Sequence, residues 1–255
     1  MRTAVILPVK RFPLAKQRLG ESVADSLRSD LAKAMVGDVL SALRECRAVE
    51  TTIVVTCESS VALAARYIGA IVVEDTAEAG QSAAASLGLA KALEEGFERA
   101  LCVPGDCPTL DPAELTDLLA FRAPGGDKES DIETTPPARA KGTAMREVAI
   151  VPDRHGKGTN GLLLTPPNAI EPSFGPDSRA RHERLAHDGG LACRVAQPAS
   201  LLLDIDTGED LAVLRERLAD KQAGAPRTRE VLARATPQEG AARHSEPGHS
   251  SSEAA

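Results

Sequence analysis

Tryptophan is absent from this 255-residue chain, and its aromatic complement is four phenylalanines and one tyrosine. A surface that holds single-stranded nucleic acid by stacking bases on rings has little to be built from, so Leu, Val, Ile and Ala must form the core. Five cysteines (Cys46, Cys57, Cys102, Cys107 and Cys193) are odd in number, widely spaced and without a Cys-x-x-Cys pair. That pattern suits small buried hydrophobes for most of them, rather than a disulfide framework or a zinc site. Basic residues are outnumbered: 30 Lys and Arg stand against 37 Asp and Glu, for a net charge of −7. A net-acidic body argues against general affinity for nucleic acid or anionic membrane, yet leaves room for a local basic pocket that takes a phosphate. No apolar run approaches the length of a membrane span, and Met1-Arg2-Thr3 leads into a strand rather than a secretory signal. The expectation is a soluble, cytoplasmic protein that binds neither nucleic acid nor membrane.

What is present is an alternation of strand and helix patterns. The short apolar run at 3–8 reads as a strand buried on both faces, and 51–56, 70–73 and 100–103 read as further strands. Between them, Leu27, Leu31, Met35, Val39, Ala42 and Cys46 recur at helical spacing over 24–47, and further helices are expected at 58–67, 82–95 and 111–121. Four such repeats in the first half are the pattern of a parallel, doubly wound sheet, whose ligands sit at the carboxyl ends of its strands. Residues 122–146, rich in Pro, Gly and charge, read as a loop or insertion. Strand candidates follow at 148–151, 161–164, 192–196 and 201–205, with helices at 178–187 and 209–218. Periodicity stops near Lys221, so the expected organisation is one α/β domain over 1–220 and a disordered tail over 221–255.

Four groups of residues carry the polar chemistry. The loop after the first strand holds Lys10, Arg11, Lys16 and Arg18, at the carboxyl end of a buried strand. Cations there are placed to neutralise a pyrophosphate or triphosphate, although the glycine spacing and Lys-Ser/Thr pair of a Walker A loop are missing. The alternative is a solvated surface loop. Asp106 stands in a Pro-Gly-Asp-Cys-Pro turn after the fourth strand, where a carboxylate suits Mg²⁺ or caps its own turn. Asp204 and Asp206 alternate along the 201–205 strand candidate, so both point to one side. Like charges that close repel, and a bound cation relieves the repulsion; the alternative has Asp206 capping the next helix. The last group is the Gly-rich stretch 153–160, with Thr159, and the later turn from Gly175 to Ser178. Glycines admit an anion to the backbone, Thr and Ser supply hydroxyls, and Ser178 opens a helix whose N-terminus attracts phosphate or carboxylate. Each stretch taken alone also reads as an ordinary turn. His155, His182 and His187 form no metal-ligand pattern.

Taken together, LPVK at the end of the first strand, AKQRL, GQSAA at a helix opening, PGDCP, D-R-H-G-x-G-T-N, F-G-P-D-S-x-x-R-H and a late LDIDT resemble the CofC/FbiD family, in the family's order. These are phosphoenolpyruvate or 2-phospho-L-lactate guanylyltransferases of coenzyme F-420 biosynthesis. The resemblance implies a single-domain, Rossmann-like α/β nucleotidyltransferase fold (MobA-like, GT-A type) with a mostly parallel central sheet. It also implies GTP as co-substrate, Mg²⁺ as cofactor, and a small phosphorylated carboxylic acid as acceptor: phosphoenolpyruvate, 2-phospho-L-lactate or 3-phosphoglycerate. Carried over by position, Lys10, Lys16 and Arg18 would hold the GTP phosphates, with Lys16 and Asp106 the catalytic pair. Asp106, Asp204 and Asp206 would hold the metal, and Thr159, Gly175 and Ser178 the acceptor. Gln81 and Ser82 stand near the nucleoside, replacing the family's Leu and Asn. A labile product would be handed to the downstream deazaflavin transferase, with the tail as a candidate docking segment. Two competing readings stand beside this one. Another MobA-like nucleotidyltransferase, acting on molybdopterin or a sugar phosphate, is disfavoured by the small Gly/Ser loop. A non-catalytic nucleotide-binding regulator is disfavoured by the retained carboxylates and basic loop.

Overall fold

Alternate residues of the first strand, β1 (Thr3–Val9), feed different cores: Val5, Leu7 and Val9 pack on one face of the sheet, Ala4 and Ile6 on the other. The same split runs through β2 (Thr51–Thr56), β4 (Arg99–Cys102), β5 (Glu147–Pro152) and β6 (Thr159–Thr165). Strands covered on both faces need apolar side chains in both directions, which is why they read as continuous runs. With β3 (Ile71–Val73) and β7 (Ala192–Val195) they form one seven-stranded sheet in the order β3-β2-β1-β4-β6-β5-β7. β6 runs antiparallel to both neighbours, while the remaining pairs are parallel. This computed structural model describes residues 1–12, 19, 25–120, 146–220 and 223–235.

Helices α1 (Asp25–Glu45), α2 (Ser59–Tyr67) and α4 (Pro112–Ala120) cover one face of the sheet through Val36, Val39, Leu43, Val61, Leu115 and Leu119. The other face is covered by α3 (Gln81–Glu94) and α5 (Ser178–Asp188). α3 lies very close to the sheet at Gly88, where a Cβ would stand 2.2 Å from Ile6 Cγ2. The fold is therefore mixed α/β with a mostly parallel sheet, as expected. Cys46, Cys102 and Cys107 are buried as small apolar groups, and burial pushes the Cys102 thiol up to about 12. No helix among the described residues is long and apolar enough to cross a membrane.

Two expectations need correction. Residues 201–205 are not a strand: a short 3-10 turn (Ala199–Leu201) leads into an irregular extended segment. The alternation is nonetheless present, with Leu201, Leu203 and Ile205 buried and Leu202, Asp204 and Asp206 half-buried. What the segment lacks is a ladder: its backbone meets the sheet side at separate points, among them a bond from Ile205 N–H to the Asp106 carbonyl, 3.2 Å.

Nor does order stop at Lys221. After α6 (Gly208–Ala219), α7 (Pro226–Ala235) packs on α1 and, with α6, encloses a third core that includes Leu31, Met35, Leu203, Ile205, Leu214 and Leu232. The cap of α7 comes from far away: Asp38, buried on α1, accepts from the amides of Arg227 (3.1 Å) and Thr228 (2.8 Å). A ten-residue helix held by a remote cap and a narrow apolar stripe leaves little local signal. The expected loop at 122–146, apart from Arg146, and the tail beyond 235 lie outside the described residues.

Candidate active site

The carboxyl ends of β1, β2, β3 and β4 open into one cavity of about 840 Å³. Because β6 is antiparallel, its first residues, Thr159 and Asn160, reach the same edge that the parallel strands leave. The strand order therefore sets the order of the wall. Asp75 and Glu78 follow β3, Cys57 follows β2, Lys10 and Arg11 follow β1, Asp106 follows β4, and Thr159 opens β6. At a strand spacing of about 4.8 Å, the walk from β3 to β6 is roughly 19 Å.

Asp106 and the segment carrying Asp204 and Asp206 come together through the Ile205–Asp106 backbone bond. Asn160 Nδ2 donates to Asp204 Oδ1 at 3.2 Å and to the Leu201 carbonyl at 2.8 Å, tying β6 to the same segment. Burial first, then the charges of Asp106 and Asp206, push the Asp204 carboxyl up to about 6 against the Asn160 hydrogen bond. Asp206 does not cap α6. That role belongs to Thr207, whose hydroxyl accepts from the Asp210 amide at 3.2 Å while the Asp210 carboxylate accepts from the Thr207 amide at 2.8 Å. Among the described residues no group of three or more His, Cys, Asp or Glu forms a ready-made metal cage. Three hard-oxygen carboxylates lining one cavity, with Asp204 facing the charges of the other two, do fit Mg²⁺, which keeps several waters and takes oxygens from phosphates rather than from a closed protein cage.

Two helix N-termini open on the cavity without side-chain caps. α3 starts after Gly80, at φ 105°, and α5 after Asp177, at φ 54°. The first-turn amides of α3 are placed to meet an anion, whereas in α5 the Ser178 amide donates to the Gly175 carbonyl and the Arg179 amide to the Lys157 carbonyl, both at 3.1 Å. Gly175, at φ 111°, shapes the turn into α5, and Arg181 pins that turn through Ser173 Oγ (3.0 Å) and the carbonyls of Ser173 (2.9 Å) and Phe174 (3.2 Å). Inside it, Ser178 Oγ donates to Thr159 Oγ1 at 3.1 Å, and His182 Nδ1 lies 3.1 Å from the same oxygen.

Of the residues singled out in the sequence, Lys10, Gln81, Asp106, Thr159, Gly175, Ser178, Asp204 and Asp206 all line this cavity. Lys16 and Arg18 lie outside the described residues. Ser82 is not in the wall; its hydroxyl accepts from the Phe174 amide at 2.9 Å and joins α3 to the turn before α5. Sequence reasoning missed Asn160 and His182. The i, i+4 spacing of Ser178 and His182 on a predicted helix was the available signal for the second.

Residues 3–148 match the family profile described as guanylyl transferase CofC like. The chain is 46% identical over 232 residues to the phosphoenolpyruvate guanylyltransferase of Conexibacter woesei, covering 91% of this chain and 96% of that protein. It is 30% identical over 211 residues to the 2-phospho-L-lactate guanylyltransferase of Methanothermobacter thermautotrophicus, covering 83% of each. Its fold is similar to that of a nucleotidyl transferase from the latter organism, with a TM-score of 0.56 and 17% identity over 87% of this chain and 99% of the other. At that identity the likeness is one of fold alone.

Proposed function

Since the chain belongs to the CofC-like guanylyl transferase family, we propose that it transfers GMP from GTP to the phosphate of phosphoenolpyruvate in coenzyme F-420 biosynthesis. The 46% identity to a protein named for phosphoenolpyruvate, against 30% to one named for 2-phospho-L-lactate, supports that acceptor. The observation that carries the reading is the adjacency of β4 and β6, which sets Asp106 beside Thr159 and Asn160 at one edge of the cavity. Phosphate-neutralising and carboxylate groups then occupy the middle of the wall and an anion-binding turn one end, with the far end free for a nucleoside.

The acceptor phosphate needs no general base. Its second pKa is roughly 6, so it is largely ionised at neutral pH. One of its oxygens attacks the α-phosphorus of GTP, the bond from that phosphorus to the bridging oxygen breaks, and pyrophosphate leaves with the electron pair. Lys10, Arg11 and Lys157 supply positive charge around the phosphates, while Thr159, its hydroxyl held by Ser178, and the turn at Gly175 receive the acceptor. Asp106, Asp204 and Asp206 would hold Mg²⁺, which when bound neutralises charge developing on the phosphate oxygens. Catalysis is then orientation plus electrostatics. The product passes in the cytoplasm to a deazaflavin transferase.

The test is pyrophosphate release from GTP and Mg²⁺ with phosphoenolpyruvate, 2-phospho-L-lactate, 3-phosphoglycerate or no acceptor, with the deazaflavin transferase present to draw off product. Phosphoenolpyruvate gives the fastest release on this reading. Equal release with and without acceptor contradicts it.

A further inference from the structure

His182 is fully buried, has no place in the phosphate chemistry above, and sits behind the acceptor turn rather than in the cavity wall. Its ring makes two hydrogen bonds. Nε2 lies 2.8 Å from the Ser173 amide, which can only donate, so Nε2 carries a lone pair. The proton of the neutral ring is therefore on Nδ1, and Nδ1–H donates to Thr159 Oγ1 at 3.1 Å. An edge-on contact with Phe174, centroids 5.3 Å apart at 73°, fixes the ring plane. The Phe174 segment is itself anchored by Arg181 and Ser82.

Thr159 Oγ1 has two acceptor positions and one proton. His182 Nδ1–H fills one position and Ser178 Oγ–H fills the other. Among the described residues no further partner meets the Thr159 hydroxyl, which leaves its proton for the cavity that Thr159 lines. We propose that His182 is a positioning residue for the transfer reaction, its Nδ1–H holding the Thr159 hydroxyl as a hydrogen-bond donor toward the anionic acceptor. The inference rests on the reading of Thr159 and Ser178 as the acceptor site. A protonated ring could not accept from Ser173, and burial, with the nearby Arg181 charge, holds the His182 pKa down to about 4, which keeps the ring neutral where the enzyme works. An oriented donor does not have to be turned when the acceptor arrives, so its loss falls on acceptor binding and leaves GTP binding alone.

Two near-isosteres separate this role from packing. His182→Asn keeps an N–H donor near the Nδ1 position and loses the Ser173 bond. His182→Gln reaches the Nε2 position, keeps an acceptor for Ser173 and loses the bond to Thr159. Expected are an acceptor KM raised roughly tenfold in His182→Gln with GTP KM unchanged, and an acceptor KM within about twofold of wild type in His182→Asn. Equal impairment of both variants, or a wild-type acceptor KM in His182→Gln, overturns the proposal. Thr159→Val is measured alongside: an unchanged acceptor KM there overturns the acceptor-site reading, and the His182 proposal with it. The tautomer is checked in the unaltered protein by ¹⁵N NMR of the imidazole, where a protonated Nδ1 is expected and a protonated Nε2 refutes the arrangement even if a variant fails to fold.

Discussion

The amide of Ile205 donates to the carbonyl of Asp106 across 3.2 Å, and through that bond two segments almost a hundred residues apart present their carboxylates to one cavity. Asp106 arrives on the turn after β4, and Asp204 and Asp206 on a segment that belongs to no strand. Burial raises the carboxyl of Asp204 most, and the charges of Asp106 and Asp206 add to it, so their closeness is unfavourable in the metal-free protein. Several measurable consequences come from this and from the packing around it.

Asp204→Asn should stabilise the metal-free protein. A carboxyl raised from 3.8 to about 6 in the fold takes up protons more readily folded than unfolded, so its charged form opposes folding at every pH above about 6. The neutral isostere removes that opposition, about 1–2 kcal/mol once partial exposure is discounted, a rise of a few degrees in Tm. Thermal melts at pH 7.5 in EDTA check the sign. Mg²⁺ with a GTP analogue should then raise the Tm of wild type more than that of the variant.

Asp106→Asn and Asp206→Asn should lower turnover by about a hundredfold or more, since each removes charge where the transferring phosphate is neutralised. Circular dichroism should remain near wild type and the melting temperature should not fall, because neither side chain belongs to a hydrophobic core and each variant removes a charge that disfavours the Asp204 carboxylate. Near-wild-type turnover in both, in buffer with limiting Mg²⁺, removes the metal assignment.

Acid sensitivity should report on His182. Its pKa falls from 6.5 to about 4 on folding, so the unfolded chain binds more protons between those values. Its contribution to stability is full above pH 6.5 and is lost as pH falls toward 4, on the order of 3 kcal/mol in all. Asp204 works in the opposite sense over part of the same window, so the comparison that isolates His182 is wild type against His182→Asn. The variant should lose less stability between pH 7 and 4.5 in urea titrations.

Truncation should show where the C-terminus begins to matter for stability. Removing everything after residue 235 leaves the described residues of all three cores in place and should change Tm little. Removing everything after residue 220 strips Leu232 from the third core and takes from Asp38 the two α7 amides that donate to it. Lost apolar burial and lost hydrogen bonds to a charged group both weaken that protein, which should melt at least several degrees lower. Asp38→Ala alone should cost about 1–2 kcal/mol.

How far the sequence foretells this structure depends on how local each signal is. β1 and β2 are legible because every residue of Ala4–Leu7 and Ile53–Val55 is apolar, as burial on both faces requires. α7 is not, since its cap sits on α1 and its apolar stripe rests on Val231 and Leu232. The candidate site divides the same way. Asp106, Thr159 and Ser178 stand at element ends that hydrophobic periodicity already marks. The alternation of Asp204 and Asp206 carries correct information about direction even though the strand it suggests is missing. His182 shows nothing in its own neighbourhood, because its role is defined by Thr159, 23 residues earlier, and by a backbone amide across a turn. Ser82 misleads for the same reason: its partner is Phe174, 92 residues away.

The most direct test of the whole account is ³¹P NMR of the reaction of GTP, Mg²⁺ and phosphoenolpyruvate with the purified protein and its deazaflavin transferase. The account predicts that the phosphomonoester signal of phosphoenolpyruvate and the signals of GTP decline together while free pyrophosphate appears in equal amount. Release of inorganic phosphate with GDP, or consumption of GTP that leaves the phosphoenolpyruvate signal untouched, would contradict it.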